Sequence, residues 1–438
     1  MSPFVDGRGN KTTSSIPTII IRNTVFLAVI QALINSGSQM IPSLAGLIML
    51  RFTGSIALVG LTLSIITIAG MVTSYPAGKL SDTFGRRPVL LLGVLLGGLG
   101  FVLIYFSVRN NLFYVFIIAL IINGLAQGFV NQIRVSAIDM YPVHRKAEGV
   151  SYVMTGGALG SLLAPIIVMI TTNYAERTHL DTLSIPWLAQ PLILAFASLL
   201  VFSVRPDPLV IASNIDKYYP TTDLKKAGKP SVHPLPPMNI ASLLRYFPVI
   251  VAIISISLSG GNMLMMMSLV SVVLRQNNVN LTLISVSVAI HVLGMFGFSL
   301  IFGRLADKYG RRSMFILGST LSGLGALITP LTSGYLMITL GIFLVGLGWS
   351  AVVVAATALI GDVSPPTVLG RLMGLTQLIG GVLSLGLPIV GGLVAQRYGF
   401  TPLGVMGALL SLPIFLSALL LRELSPGVYK QNPVFRGE

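Results

Sequence analysis

Apolar and polar positions alternate along this chain on the scale of whole helices, with long apolar runs separated by short polar connections. A bilayer core about 30 Å thick needs roughly 20 apolar residues for each helical span. Twelve runs are long enough, and they begin near Asn23, Ile56, Pro88, Leu112, Glu148, Pro186, Phe247, Thr282, Ser313, Gly334, Leu372 and Pro402. The pattern predicts an all-α membrane protein with twelve transmembrane helices.

Three longer polar segments divide the chain. The middle one, residues 205–245, holds seven of the 25 prolines and six basic residues, which is typical of a linker. We expect an N-terminal tail over residues 1–22, a helical bundle over 23–204, this linker, a second bundle over 246–421 and a C-terminal tail over 422–438.

Two short sequences occur twice, once in each predicted bundle. Residues 78–87 (GKLSDTFGRR) return as residues 303–312 (GRLADKYGRR), and residues 137–142 (AIDMYP) resemble residues 360–365 (IGDVSP). The repeated positions that carry chemistry are Gly78, Asp82, Gly85, Arg86, Arg87 and Asp139 in the first bundle, and Gly303, Asp307, Gly310, Arg311, Arg312 and Asp362 in the second. Duplication is the simplest cause, so we expect two pseudo-symmetric six-helix bundles.

Composition and charge place the chain in a membrane. Hydrophobic residues make up 54% of the chain and charged residues 9%, too few to coat a soluble protein of this size, so the lipid bilayer is its main partner. With both termini cytoplasmic, 23 of the 28 lysines and arginines fall on the cytoplasmic side. We therefore expect a multi-pass cell-membrane protein with both repeated loops in the cytoplasm. The net charge of +15 is scattered over several loops, so no nucleic-acid partner is expected.

These features together resemble the major facilitator superfamily, whose signature loop reads Gly-x-Leu-x-Asp-x-x-Gly-Arg-Arg or Lys. The resemblance covers essentially the whole chain and implies two bundles that rock about a central substrate site. It also implies that Asp82, Arg86 and Asp139, and likewise Asp307, Arg311 and Asp362, form a conformational gate. Such clusters would hold the cytoplasmic face shut in the outward-open state and come apart on inward opening. The alternative is that the arginines only fix topology.

Polar side chains inside the spans are candidates for substrate binding. Gln31, Asn35 and Gln39 share one face of the first span, and Asn123, Gln127 and Asn131 share one face of the fourth. Unpaired amides are costly in lipid, so these stripes should face protein or water. The stripes line either a cavity or helix–helix hydrogen bonds. In the seventh span, Asn262 follows two glycines that could weaken the helix, and Met266 offers a flexible apolar wall.

No carboxylate stands in the middle of a predicted span, so proton coupling has few candidates. His291, in the eighth span, has an ordinary pKa suited to protonation near neutral pH. It either carries the proton or simply bonds to a neighbouring helix carbonyl. Arg134, near the end of the fourth span, would attract an anion, hold a cavity closed or extend to the membrane surface.

The sequence favours a secondary transporter that moves a small organic solute by alternating access, with proton-coupled efflux of lipophilic compounds as the finer hypothesis. The alternatives are a uniporter or importer of a small organic anion or metabolite, or a transport-fold sensor or channel. Phosphate-loop and His-Glu metal motifs do not occur, and there is no cysteine, so we expect no enzyme, cofactor or metal site. A monomer is expected.

Overall fold

The structure is a computed structural model, and it describes residues 16–142, 145–219, 246–363 and 366–421. The predicted C-terminal tail lies outside these ranges, as do most of the N-terminal tail and most of the central linker. Over the described ranges the chain is helical and contains no strand.

Six long helices form the first half of the molecule. They are α1 Thr18–Thr53, α2 Ile56–Phe84, α3 Arg86–Arg109, α4 Phe113–Asp139, α5 Glu148–Arg177 and α6 Pro186–Ser203.

Six more helices form the second half. They are α7 Phe247–Gln276, α8 Leu281–Tyr309, α9 Arg311–Leu331, α10 Tyr335–Val363, α11 Pro366–Tyr398 and α12 Phe400–Leu420. In all, 12 helices in the described ranges are long and apolar enough to cross a membrane. The predicted fold class is confirmed.

The first helix begins at Thr18, before the predicted start of the first bundle at residue 23. Ile20 in this added turn is fully buried, because it packs into the core of the first half. The boundary at residue 23 between the N-terminal tail and the first bundle stays a prediction.

Small residues let neighbouring helices approach closely, as is common in membranes. A Cβ added to Gly156 of α5 would lie 2.2 Å from the carbonyl oxygen of Ala28 in α1. One added to Gly160 would lie 2.1 Å from the carbonyl oxygen of Ala32. These contacts fix α1 against α5 at backbone distance.

Helix α1 contains one turn of π-helix over Ile41–Ala45. Pro42 lies in this turn, and it has no backbone N–H to donate. The Ser43 hydroxyl donates to the Gln39 carbonyl at 2.9 Å, so that carbonyl keeps a partner. Beyond the turn, Gly46–Thr53 continues as an α-helix.

The two ends of the helical bundle differ, and we name them by their junctions. The motif end carries the α2–α3 and α8–α9 junctions, where the repeated loops lie. The far end carries the α1–α2 and α11–α12 junctions. The charge asymmetry predicts that the motif end is cytoplasmic.

The halves pack on each other mainly through α2 with α11, α5 with α8, and α1 with α7. The contacts of α1 come from its far-end part, residues 41–53. The motif-end segments Gln132–Asp139 of α4 and Ser299–Tyr309 of α8 pack extensively only on helices of their own half. The halves are therefore joined at the far end and in the middle of the bundle.

Candidate functional site

The first repeated loop is built around a sharp turn between α2 and α3. Gly85 has φ +94°, a backbone conformation that favours glycine, so the chain can reverse in one residue. The turn places Arg86 at the start of α3. Its guanidinium donates to Asp82 in α2 at 2.7 Å and to Asp139 at the end of α4 at 2.6 Å. One arginine thus joins three helices of the first half.

Arg86 is the buried member of this cluster. Its side chain is 7% exposed, that of Asp139 is 16% exposed and that of Asp82 is 71% exposed. The Ser81 hydroxyl accepts a further hydrogen bond from Arg86 at 2.9 Å. Breaking a buried pair by removing one partner costs about 3–5 kcal/mol, whereas an exposed pair contributes about 0–1 kcal/mol. The Arg86–Asp139 bond is therefore the stabilising part.

The second repeated loop copies this geometry. Gly310 has φ +88° at the α8–α9 turn, and Arg311 donates to Asp307 at 2.7 Å and to Asp362 at 3.0 Å. Asp307 is exposed, and Asp362 is 12% exposed at the end of α10. The duplication read from the sequence therefore recurs at the level of individual hydrogen bonds.

The remaining predicted gate residues flank these clusters. Arg87 donates to the carbonyls of Val201 and Phe202 at the end of α6. Arg312 is exposed and has an interaction of its own. Gly78 and Gly303 are half-buried in α2 and α8.

All six ion pairs among the described residues connect groups of the same half. The gate clusters are complete in this structure, although the halves are packed together at the other end. The pairs themselves do not bridge the halves. Their role as a conformational gate stays a prediction.

Asp207 belongs to the same site, and sequence reasoning missed it. Its carboxylate accepts hydrogen bonds from the backbone N–H groups of Arg86 at 3.1 Å and Arg87 at 2.9 Å, and also from Leu209 at 2.8 Å. A carboxylate at a helix N-terminus satisfies free donors and opposes the helix dipole. The Asp207-Pro208 pair is a helix-start signal for the short helix Pro208–Ser213. The second helix that it caps, α3, is 120 residues away in sequence.

The polar stripe of α1 partly bridges two helices of the first half. Gln31 donates to the Asn35 side chain at 2.9 Å, and Asn35 donates to the Gly157 carbonyl in α5 at 2.9 Å. Gln39, next to the π-helical turn, is half-buried. Two of the three amides therefore serve helix–helix contact.

The polar stripe of α4 is also largely internal. Asn123 is buried and donates to the Ala119 carbonyl, and Gln127 donates to Asn131, which is half-buried, at 3.4 Å. Asn123 and Gln127 line a cavity of about 30 Å³ that Ser38 of α1 also reaches. That volume suits about one water molecule. Two amides of the α4 stripe thus share a small space with α1, but Gln31, Asn35 and Gln39 do not line it, and it is too small for an organic solute.

Asn262 and Met266 lie in the packing of the second half. Asn262 is 1% exposed and donates to the Ser322 hydroxyl of α9 at 2.9 Å, and Met266 is 2% exposed. Helix α7 is unbroken from Phe247 to Gln276, so the two glycines do not interrupt it. Hydrogen bonds within the helix and close packing on α10 and α11 offset the low helix propensity of two adjacent glycines.

His291 faces α10 rather than an open cavity. Its side chain is 1% exposed, and Nδ1 lies 2.6 Å from the Ile342 carbonyl oxygen. Gly346 leaves room for the ring. Nε2 has no hydrogen-bond partner in the part of the chain that the structure describes. Of the two roles expected for His291, this geometry matches the hydrogen bond to a carbonyl of a neighbouring helix. A role in proton coupling stays a prediction.

Arg134 lies in α4 near the motif end, and its side chain is exposed. Among the described residues it makes no ion pair. Two acidic residues of the first half, Asp139 and Glu148, already form ion pairs with Arg86 and Arg145.

A cavity of about 460 Å³ lies between the two halves. Three helices line it, α5 with residues 150–158, α8 with residues 295–300 and α10 with residues 349–354. We call this the interface cavity. Its volume is in the range of small-molecule sites. The amides of α1 and α4 singled out from the sequence do not line it, and Trp349, which does, was not a candidate.

The far end holds several hydrogen bonds between the halves. The Gln396 side-chain oxygen in α11 accepts hydrogen bonds from the Ser55 hydroxyl at 2.7 Å and from the Ala57 N–H at 2.9 Å. The Ser64 hydroxyl of α2 donates to the Leu385 carbonyl at 3.0 Å. We call these contacts the far-end clasp.

Gly60 of α2 makes the tightest approach in this region. A Cβ added there would lie 2.0 Å from the Pro388 carbonyl oxygen of α11. No larger residue fits without separating the helices. The far-end clasp is therefore neutral, made of hydrogen bonds and backbone contact.

Twelve spans in two pseudo-symmetric halves that enclose a cavity between them define a two-bundle membrane transporter. The family model of the Major Facilitator Superfamily matches residues 26–270 and 251–437. The chain belongs to this superfamily, a family of transporters, and is a multi-pass membrane protein. The resemblance seen in the sequence is confirmed.

Several relatives have similar sequences, and each match covers most of this chain and most of the relative. The uncharacterised MFS-type transporter YddS of Bacillus subtilis is 27% identical over 375 residues, covering 82% of this chain and 81% of the relative. The riboflavin transporter RfnT of Brucella anthropi is 25% identical over 370 residues, covering 82% and 85%. The multi-drug resistance efflux pump PmrA of Streptococcus pneumoniae is 25% identical over 356 residues, covering 78% and 80%.

The fold is also that of solved transporters. The crystal structure of a bacterial homolog of the human lysosomal transporter Spinster, in an inward-facing and occupied conformation, matches with a TM-score of 0.72. It is 12% identical, and the match covers 91% of this chain and 95% of that chain. At this identity the likeness shows the fold alone.

Proposed function

We propose that this protein moves a small organic solute across the membrane by alternating access, with the interface cavity on the solute's path. The observation that carries the proposal is the asymmetry of contact between the halves: they meet at the far end and in the middle, and a cavity of about 460 Å³ lies between them. With the motif end cytoplasmic, this arrangement is an inward-facing state.

The finer proposal is proton-coupled efflux of lipophilic compounds. The mostly apolar interface cavity and the similarity to the efflux pump PmrA support it. His291 is the candidate proton carrier. Replacing it with Gln should abolish any dependence of transport on a pH gradient, and unchanged coupling would eliminate it from that role.

One observation favours a second candidate, the import or uniport of a small organic anion. Arg134 is exposed near the motif end and makes no ion pair among the described residues, so it is available to an anion. Faster uptake of an anion such as salicylate, lost in Arg134→Gln but retained in Arg134→Lys, would support this candidate over efflux.

A cysteine-free chain allows a direct test of alternating access. Gly46 of α1 and Ser271 of α7 face each other across the halves, since a Cβ on Gly46 would lie 3.1 Å from the Ser271 hydroxyl oxygen. A Gly46→Cys, Ser271→Cys double variant should cross-link on oxidation. We call it the far-end reporter.

The reporter is reconstituted into liposomes, and exchange of riboflavin and of lipophilic dyes is followed with and without a pH gradient. Oxidation should stop exchange, and reduction should restore it, because a transporter must open both ends in turn. Each single cysteine variant serves as a control. Undiminished flux through the cross-linked protein would contradict alternating access and favour a channel.

A further inference from the structure

The interface cavity has an aromatic wall. Phe296 of α8 and Trp349 of α10 meet edge to face, with ring centroids 5.9 Å apart and planes at 77°. Trp349 is half-buried, so part of its indole faces open space. Gly260 of α7 lies behind it, where a Cβ would be 4.0 Å from the indole nitrogen. This wall offers a ring surface for a second aromatic group.

Two polar groups beside this wall have no protein partner among the described residues. The Ser350 hydroxyl is buried and makes no hydrogen bond, although the residue is 2% exposed and lines the cavity. The Trp349 indole N–H makes no hydrogen bond to the described residues either, and its nitrogen lies toward Gly260 of α7, a helix that does not line the cavity. Buried polar groups normally have partners, so an acceptor in the cavity is the natural partner for the Ser350 hydroxyl.

Three other lining residues carry hydroxyl groups, and each has an interaction of its own. Thr155 donates to the Ser151 carbonyl and Ser299 to the Phe296 carbonyl, each within its own helix, and Ser151 also has a partner. Among the described residues that line the cavity, the hydroxyl without a partner is therefore that of Ser350.

No charged side chain is among the described residues that line the cavity. An ion placed there would lose hydration without gaining an ion pair. The remaining walls are apolar or thioether side chains, such as Met154, Met295 and Leu300. Both observations disfavour anions and leave a cation only the ring faces for attraction.

We propose that the interface cavity binds uncharged aromatic compounds that carry a hydrogen-bond acceptor such as a carbonyl. The ring of the ligand packs on Trp349 and Phe296, and its acceptor receives a hydrogen bond from the Ser350 hydroxyl. The inference rests on the proposed function, since it names the substrate class of the same cavity.

The chain contains two tryptophans, which makes the test selective. Trp187 is fully buried in the first half and stacks on Phe101, with centroids 5.9 Å apart. A Trp187→Phe variant keeps Trp349 as the sole reporter of the cavity. A Trp349→Phe variant keeps Trp187 and corrects for light absorbed by the added compound.

The probes are caffeine, chloramphenicol and riboflavin as neutral aromatic carbonyl compounds, with tetraphenylphosphonium, salicylate and glucose as the charged and non-aromatic comparisons. We expect a saturable change in Trp349 emission with at least one of the first three and none with the others. Trp349→Leu should weaken binding about tenfold and Ser350→Ala about fivefold, measured by the thermal shift of the purified protein.

Three results would overturn the assignment. They are no saturable change with any neutral aromatic probe, equal binding of the charged probes, or unaltered affinity in Trp349→Leu. Counterflow of the bound probe into liposomes separates this inference from the proposed function. If counterflow is unchanged in Trp349→Leu, the assignment of this binding site is wrong and the proposed transport function stands. If the probe binds but shows no counterflow, the binding site stands and the proposed transport function is wrong.

Discussion

The motif end and the far end of this molecule are held by different chemistry. At the motif end, the charged hydrogen bonds of Arg86 to Asp82 and Asp139, and of Arg311 to Asp307 and Asp362, each stay within one half. At the far end, neutral hydrogen bonds accepted by Gln396 and the close approach of Gly60 to Pro388 join one half to the other.

In the proposed alternating-access cycle, the charged bonds inside a half would keep it intact as a unit, and the neutral contacts between the halves would be lost and remade. A neutral hydrogen bond contributes about 0.5–1.5 kcal/mol, so each single bond of the far-end clasp costs less to break than a buried ion pair, for which the loss is about 3–5 kcal/mol.

Removing the buried arginine should have the largest effect. Arg86→Ala leaves Asp139 without its charged partner, and we expect a loss of about 3–5 kcal/mol of stability. Thermal unfolding in detergent measures it. Asp82→Ala is the matched control, because Asp82 is 71% exposed and its pair should contribute at most about 1 kcal/mol. Equal losses in both variants would contradict the assigned difference between the two bonds.

Asp82→Asn sharpens the same comparison for function. We expect normal insertion but slower transport if the cluster is a gate, measured as initial exchange rate at matched expression. Full transport would leave the cluster with a purely structural role.

Gly60→Ala should break the contact between the halves at the far end. The added methyl group would lie 2.0 Å from the Pro388 carbonyl oxygen, and backbone cannot yield as a flexible side chain does. Cross-linking of the far-end reporter should fall several-fold. Gly386→Ala in α11 is the control, since an added Cβ there meets nothing within 4 Å. An unchanged yield in Gly60→Ala would show that the helices have another way to pack.

Asp207→Asn tests the cap that ties the end of the first half to α3. The variant loses the negative charge at the helix start, and we expect a loss of about 1 kcal/mol, read from thermal unfolding. Asp216→Asn removes an exposed charge nearby and should change stability by less than about 0.5 kcal/mol. A smaller loss at residue 207 than at residue 216 would rule out the cap.

The smallest effect is expected for Gln396→Ala, which removes two neutral bonds at an exposed site. Cross-linking of the far-end reporter should decrease only about two- to fivefold. Gln396→Glu keeps an acceptor for Ser55 and Ala57 and should retain most of the yield. If the alanine variant lowers cross-linking more than Gly60→Ala does, the hydrogen bonds rather than the backbone contact hold the far end.

What the sequence could predict is what is local or repeated. Span number follows from the length of apolar runs, and the clusters of Arg86 and Arg311 follow from two copies of one short pattern. The cap by Asp207 joins positions 120 residues apart, so no local signal reveals it.

The sequence also does not predict toward which neighbouring helix a polar side chain points. Asn262 points to Ser322 in α9, because it faces the interior of its half. Polar type alone does not say which neighbour an amide meets, and Trp349 has no local feature that marks it as a cavity residue. Packing between distant helices decides both.

The π-helical turn at Ile41–Ala45 has a consequence for the outer part of α1. An extra residue in one turn advances the following side chains by about 100° around the helix axis. Asn35 before the turn bonds to α5 within its own half, and Gly46 after it lies against α7 of the other half. One continuous helix thus contacts a different half of the molecule on each side of the turn. Deleting one residue inside the turn would rotate Gly46 away from Ser271 of α7 and leave Asn35 in place.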